Sequence, residues 1–366
     1  MAVLKKITVC NYRNIEMAEL AFARNVNCIC GGNGEGKTNL VDSIFYLSMT
    51  KSAFRFSDKD SIRHGATAFS ITGDYAMDGL PESRFSISVT ADGEKKLKKG
   101  AKAYTRISDH IGELPVVMVS PYDISLVSDS GEERRRFMNM VISQVDKEYM
   151  SSMVAYNRLL AQRNQMLKAD FFDSSLLEVV DMKMDSLGAS IYEKRRNFVS
   201  GIAPLISKYY SLLSGGKENV SMEYRSDLDK ASLQDLLQQS RSRDRRLGYT
   251  SVGIQRDDLL LVMDGYPVRQ CGSQGQQKSY LVSLKFAQCE MMRYRSGISP
   301  ILLLDDVFDK LDMARTSNLL SMVAGNEFGQ IFITDSNKVR LSAIVDGITT
   351  DRAYFEAVSG TFKELE

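Results

Sequence analysis

Hydrophobic and polar positions change their rhythm twice along the chain. In the first part they come in short runs: residues 3–9, 18–22 and 27–30 read as strands. Residues 69–75 and 84–90 alternate as antiparallel strands do, and 38–47 has the spacing of a helix. A short apolar strand over 115–119 leads into Ser120, Pro121, Tyr122 and Asp123. After Ser130 the period becomes helical. Phe137, Val141, Val145, Tyr149, Met153, Tyr156 and Leu160 recur at three- and four-residue spacing, the stripe of one amphipathic helix. A second helical tract runs from about 174 to 213, and Gly201 with Pro204 predicts an interruption in it. A third spans 231–246, and from Thr250 onward strand and helix alternate again. Met138, Met140, Met150, Met153 and Met166 read as core packing. The apolar period does not run through enough unbroken heptads for a long coiled-coil arm.

At 366 residues, and about 150 residues per domain, two to three domains are expected. The composition, 43% hydrophobic and 25% charged, excludes a disordered chain, a collagenous repeat and a small disulfide scaffold. The charges nearly cancel, 47 Lys and Arg against 46 Asp and Glu, so the total gives no hint of a polyanionic partner. Locally the balance breaks. Lys95, Lys96, Lys98, Lys99 and Lys102 crowd one segment, read either as a solvated hairpin tip or as an anion-binding tip. Arg134 to Arg136 and the run 241–246 (RSRDRR) are two further basic clusters. Each reads as a solvated face or as a sequence-neutral phosphate contact, and Glu132 and Glu133 suggest that some arginines form structural ion pairs.

Five cysteines are scattered without disulfide or zinc spacing, and Cys28 and Cys30 are expected on opposite faces of their strand. His64 and His110 are the two histidines, too few for a transition-metal site. No secretory pattern opens the chain, and no run approaches the ~18 uncharged apolar residues of a membrane span. A reduced, cytoplasmic location is the expectation.

The strongest chemical signal is the run Gly31, Gly32, Asn33, Gly34, Glu35, Gly36, Lys37, Thr38, a full G-x4-G-K-T between an apolar strand and a helix. Its glycines let backbone N–H groups curl around phosphates, aided by the helix dipole. Gly31, Asn33, Gly34, Gly36, Lys37, Thr38 and Asn39 are the nucleotide-binding candidates of this run, with Lys37 on the β/γ-phosphates and Thr38 on Mg²⁺. Residues 301–304 are aliphatic and end in Asp305 and Asp306. Asp305 is the expected Mg²⁺ partner of Thr38, and Asp306 is placed to orient or deprotonate the attacking water. These two motifs predict a P-loop NTPase with Mg²⁺ beside its nucleotide.

Upstream of Asp305, the run Ser273, Gln274, Gly275, Gln276, Gln277 opens a helix with Tyr280, Leu281, Leu284, Ala287 and Met291 on its apolar face. It resembles the signature motif of ABC-type ATPases, with Gln274 in place of a glycine. In that class the signature of one subunit caps the γ-phosphate held by the P-loop of another, which assigns Ser273, Gly275 and Gln276 to nucleotide and makes Ser273 catalytic with Lys37 and Asp306. Asp309, Lys310, Leu311 and Asp312 resemble the D-loop that crosses such an interface. Thr334 or Asp335 stands where a switch His is usual, and Asp335 reads equally as a strand cap.

The match is closer than the superfamily. Asn11, Tyr12, Arg13 and Asn14, the run 31–48, Ser52 to Arg55, Ser120 to Asp123, Arg134 to Phe137, Gln255 to Leu259, the Ser273 signature and the run LLLDDVFDKLD resemble the RecF family, ATPases related to SMC heads. Gln255 stands where the family usually has His, and Tyr122 where an acid is common. The resemblance implies an α/β fold: an ABC-type P-loop ATPase head of mixed sheets around the P-loop helix, with an inserted, largely helical lobe and no long coiled coil. Residues 1–122 and 249–366 would form the head, and 123–248 the helical lobe. The resemblance further implies ATP-dependent homodimerisation, slow hydrolysis, largely sequence-independent DNA binding at gaps and junctions, and RecO- and RecR-type partners. Arg13 would lie near the adenine or the phosphates. The rival reading is the ATPase subunit of a membrane transporter, which would usually carry a fuller signature and a switch His and lack the helical tract. A phosphotransferase acting on a small metabolite ranks third. A nearly neutral chain would bind DNA weakly alone, so affinity that depends on ATP-driven pairing is expected.

Overall fold

The computed structural model describes residues 1–77, 79–169, 174–308, 313–324, 328–347 and 349–365. Alternating apolar residues build an antiparallel sheet from β1 (Ala2–Tyr12), β2 (Ile15–Ala21), β4 (Ala68–Met77), β5 (Leu80–Thr90), β6 (Lys95–Lys99) and β7 (Lys102–Ala103), in the order β2-β1-β4-β5-β6-β7. Short, mostly apolar runs build the central strands of a second sheet. Its strands are β3 (Val26–Cys30), β8 (Val116–Val119), β12 (Ile301–Asp305), β13 (Ile331–Asp335), β14 (Arg352–Val358) and β15 (Thr361–Leu365), in the order β15-β14-β3-β13-β12-β8. All of these pair in parallel except the β14–β15 edge hairpin. Every residue of β3, β8, β12 and β13 is buried, as both faces of the sheet are covered.

The two faces feed different cores. Ile29, Val116, Met118, Ile301, Leu303 and Phe332 pack towards the antiparallel sheet. Their neighbours in sequence, among them Val117, Leu302, Leu304 and Ile333, pack against the helices on the other side. Cys28 and Cys30 both belong to that second core. The expectation of opposite faces is therefore corrected: residues two apart on a strand share a face, and Ile29 between them takes the other. Between the sheets lies α1 (Lys37–Met49), buried over most of its circumference, with Asp42, Ser43 and Ser48 among its buried residues.

The helical lobe contains α2 (Ser125–Ser128), α3 (Gly131–Val145), α4 (Lys147–Lys168), α5 (Ser174–Ser214) and α6 (Leu233–Leu247). The small sheet of β9 (Val220–Arg225), β10 (Asp258–Met263) and β11 (Tyr266–Pro267) adjoins it. The short α7 (Val268–Cys271) and α8 (Gln274–Ser296) lead back to β12, and α9 (Met313–Ala324) and α10 (Lys338–Val345) flank β13. Two helical expectations change. The stripe beginning at Phe137 belongs to two helices, because Asp146 leaves helical geometry and caps α4 by accepting the Tyr149 N–H at 2.8 Å. The interruption expected near Gly201 and Pro204 does not occur: α5 runs unbroken for 41 residues. Phe198, Ile202, Ile206 and Tyr209 are buried along it, and a Cβ at Gly201 would stand 3.1 Å from the Met291 side chain of α8. Close packing outweighs the one hydrogen bond that Pro204 removes.

Helices α4 and α5 form an antiparallel hairpin, clamped at one level by Lys194 on Asp146 (2.8 Å) and at another by Arg163 on Asp181 (2.7 Å). Arg163 is fully buried and also donates to Asp244 (2.8 Å) and to Thr250 Oγ1 (2.9 Å). Such a cation is favourable only while its anions are there, and removing one side strands the others. We expect Arg163→Met, which strands two buried carboxylates, to cost about 3–5 kcal/mol in urea unfolding. A cost below about 1 kcal/mol would show that the pair does not hold the lobe.

Candidate nucleotide-binding site

The P-loop conformation follows from its glycines. Gly31 (φ 150°), Gly34 (83°) and Gly36 (106°) lie where side chains are strained, and a Cβ on Gly31 would stand 2.5 Å from the Ala357 carbonyl oxygen. Two other segments grip the loop. Asn14 donates to the Gly34 carbonyl (3.2 Å), and the Gly360 N–H in the β14–β15 turn donates to the Glu35 carbonyl (2.9 Å). Lys37 donates to the carbonyls of Gly31 (2.6 Å) and Gly32 (2.7 Å), inside the curl of the loop.

Across the sheet, β12 delivers Asp305 to the N-terminus of α1. The Thr38 hydroxyl lies 3.0 and 3.1 Å from the two carboxylate oxygens of Asp305. Thr334, one strand over on β13, donates to Asp305 Oδ1 (2.7 Å) and accepts the Asp306 N–H (3.1 Å). One hydroxyl thus holds the Asp305 carboxylate and the backbone of Asp306. Burial pushes the Asp305 carboxyl above its ordinary range, and neighbouring Asp306 adds to this, while hydrogen bonds from Thr334 and Thr38 oppose it. Asn33, Gly34, Gly36, Lys37, Thr38, Asn39, Asp305, Asp306 and Thr334 line one cavity of about 190 Å³. Ser336 completes that lining and has no signal in the sequence beyond its place after β13.

An oxygen donor set of one hydroxyl and one carboxylate fits Mg²⁺, which at phosphate sites takes one or two carboxylates and leaves the rest of its shell to water and phosphate. Among the described residues no cluster of three or more His, Cys, Asp or Glu is found.

Arg13 does not line this cavity. Its guanidinium donates to Asn39 Oδ1 (2.9 Å) and Ser52 Oγ (2.9 Å), pairs with Asp42 (3.0 Å) and lies 4.0 Å from the centre of the Phe56 ring. Asn39 donates on to Asn14 (2.7 Å), so a chain of contacts runs from Arg13 to the P-loop. Asp42 is the hub behind it, fully buried and accepting from the Tyr12 hydroxyl (2.6 Å), Ser52 (2.9 Å) and the Ala53 N–H (2.8 Å). Burial raises its carboxyl, against the pull of Arg13.

Ser273 caps α8 in a reciprocal box with Gln276: its hydroxyl accepts the Gln276 N–H (3.3 Å), and Gln276 accepts the Ser273 N–H (2.8 Å). Gln276 also donates to Glu218 (2.9 Å). Ser273 is exposed, and Ser273, Gly275 and Gln276 do not line the cavity of their own P-loop. Asp335 is buried and accepts the Asn337 N–H (2.8 Å), a strand-end cap. Residues 309–312, the D-loop resemblance, lie outside the described residues.

The basic clusters are partly spent on structure. Arg134 is buried and grips Asp258 through Nε (2.7 Å) and Nη2 (3.0 Å). Arg241 reaches Glu178 (3.3 Å). In the lysine segment, Lys95 pairs with Asp58 (2.6 Å), Lys96 with Glu94 (2.9 Å) and Lys99 with Glu113 (2.6 Å), along β6, where Leu97 alone is buried and only the two-residue β7 lies further out. This segment is a charged sheet edge, a common guard against strand addition.

The family model for the RecF/RecN/SMC N-terminal domain matches residues 3–352. The DNA replication and repair protein RecF of Bacteroides fragilis is 43% identical over 366 residues, covering 100% of this chain and 99% of its own length. That of Parabacteroides distasonis is 42% identical over 364 residues, covering 100% of both. The solved structure of the recombination mediator protein RecF with ATP superposes with a TM-score of 0.90 at 28% identity, covering 100% of this chain and 98% of that one. Similarity of this degree over the full length goes beyond a shared head fold: the chain belongs to the RecF family, ABC-type ATPases of the SMC class.

Proposed function

We propose that this chain is a DNA-binding recombination mediator of gap repair whose ATP is completed between two copies of itself. The observation that carries this reading is the division of the site. Lys37, Thr38, Asp305 and Asp306 converge on one cavity, while Ser273 caps the exposed N-terminus of α8, which does not line it. A helix N-terminus with a free face is suited to the γ-phosphate of an ATP held by another copy. The RecF structure superposed above is described as bound to ATP and acting in the RecFOR pathway, which supports ATP as the ligand and RecO- and RecR-type proteins as partners. The proposed division at residues 122 and 248 puts both halves of the ATPase head on either side of the helical insertion.

In this reading Lys37 leaves the Gly31 and Gly32 carbonyls for phosphate oxygens, and the loop N–H groups cradle the rest. Mg²⁺, held by Thr38 and Asp305, would offset charge on the β- and γ-phosphates. Asp306, placed by Thr334, takes the proton of the attacking water. Arg13 acts at one remove, holding Asn39 and the loop in place. Turnover is slow because Ser273 reaches phosphate only in the closed pair. Closure sets the exposed cations of two copies side by side, so DNA affinity rises with ATP despite a net charge of +1. A transporter subunit is the weaker alternative, since the relatives are repair proteins.

Lys37→Met and Ser273→Arg should each abolish ATP-dependent dimerisation and DNA retention in light scattering and filter binding; dimers like those of the wild type in both would refute the mechanism. Asp306→Asn should keep ATP-dependent dimers but slow hydrolysis about 10²–10⁴-fold. The raised Asp305 carboxyl must be ionised to hold the cation and protonates as pH falls through its raised range. Mg²⁺-dependent ATP affinity should therefore fade on acidification earlier than an exposed carboxylate would allow, and this pH response should be absent in Asp305→Asn. Calorimetric titration across pH reads both.

A further inference from the structure

A cavity of about 640 Å³ opens between the ATPase head and the helical lobe, against about 190 Å³ for the P-loop cavity. This is the size of a small-ligand site. One wall is the end of α1, with Met49, Thr50 and Lys51, and the facing wall is α3 with Arg135 and Arg136. The α1 helix of 13 residues spans about 20 Å, which separates this cleft from the P-loop at its other end.

The cations of the cleft are not equivalent. Arg135 is committed to the Asp257 carbonyl (2.7 Å), and Arg195, deeper in, pairs with Asp257. The side chains of Lys51 and Arg136 form no hydrogen bond or ion pair among the described residues. Glu132 is the one carboxylate among the described lining residues. Lys51 and Arg136 are both exposed to solvent at the cleft, where partial desolvation lowers the Lys51 ammonium from its ordinary range and the like charge of Arg136 adds to the pull. An anion between the two would relieve both effects. The rest of the lining suits a ring rather than a bare ion. Met140 and Met150 give a soft apolar wall. Asn139 accepts from the Tyr149 hydroxyl (2.6 Å) and Arg195 (3.0 Å) through Oδ1, which leaves its NH₂ as a donor.

We propose that this interlobe cleft is a second nucleotide-binding site, with a phosphate between Lys51 and Arg136 and a base against Met140 and Met150, within reach of the Asn139 amide. It deepens the DNA-binding part of the reading above, since the nucleotide can belong to a single strand; a free mononucleotide carries the same chemistry.

The test uses the full chain without ATP or Mg²⁺, with a short phosphorylated oligothymidylate and with dTMP as probes. Lys51→Gln/Arg136→Gln should bind the oligonucleotide at least about tenfold more weakly and with a salt slope lower by about 1. ATP affinity at the P-loop should stay unchanged, and Lys51→Arg/Arg136→Lys should keep wild-type binding, which separates lost charge from a misfolded cleft. Binding of the oligonucleotide alone supports a strand as the source, and binding of dTMP with the same loss in the double variant supports a free nucleotide. Wild-type affinity for both probes in the Gln variant, or no binding of either by the wild type, overturns the proposal. Because ATP is absent, a loss in the Gln variant stands even if ATP-driven dimerisation fails, so the two readings fail separately.

Discussion

The Thr38 hydroxyl and the Asp305 carboxylate meet at 3.0 Å although 267 positions separate them in the chain. For that contact to exist, β3 and β12 must lie in one sheet with β13 between them, and α1 must start where β3 ends. Everything inserted between residues 38 and 305 has to leave and return without disturbing this register. The parallel sheet meets the condition by burying both faces: one covered by α1 and the antiparallel sheet, the other by helices. A slip of one residue in β12 would exchange the two faces and turn Asp305 away from Thr38. The raised carboxyl of Asp305 is the electrostatic counterpart of this burial, an acid held in the core edge by two threonine hydroxyls.

Around that junction the structure uses buried polar hubs rather than surface ion pairs. Asp42 ties the end of β1, the P-loop helix and the segment at Ser52 together, and through Arg13, Asn39 and Asn14 the same network steadies the loop. In the helical lobe Arg163 and Arg195 do comparable work, joining α4, α5 and the strand entry at Asp257. Such hubs specify one arrangement because each partner, if left alone, would be a buried charge.

Much of the head was legible in the sequence because its signals are local. The P-loop spells out its own turn, and four aliphatic residues before Asp305 and Asp306 describe a buried strand with polar ends. What was not legible depends on partners far away in the chain. Nothing near Pro204 announces that α8 will pack along α5 and keep it straight. Asp146 looks like one polar residue in an apolar stripe until its N–H acceptor role divides the helix. The runs of Arg and Lys read as free charge, yet Arg134, Lys95 and Lys99 find carboxylates that only folding brings close. Arg13 reaches the cavity lining through Asn39, a contact that no local pattern announces.

The near-neutral charge is matched in the fold: Lys95, Lys99 and Arg134 of the basic clusters are each paired with a carboxylate, which leaves fewer cations of one copy for DNA. That makes pairing of copies through ATP the central claim. The direct measurement mixes the Lys37→Met and Ser273→Arg chains, each inactive alone, and follows ATP hydrolysis. In a mixed dimer one interface carries both defects, and the other joins an intact P-loop to an intact Ser273. The account requires hydrolysis to reappear on mixing, rising with the concentration of mixed dimer. A mixture no more active than its separate components would contradict it.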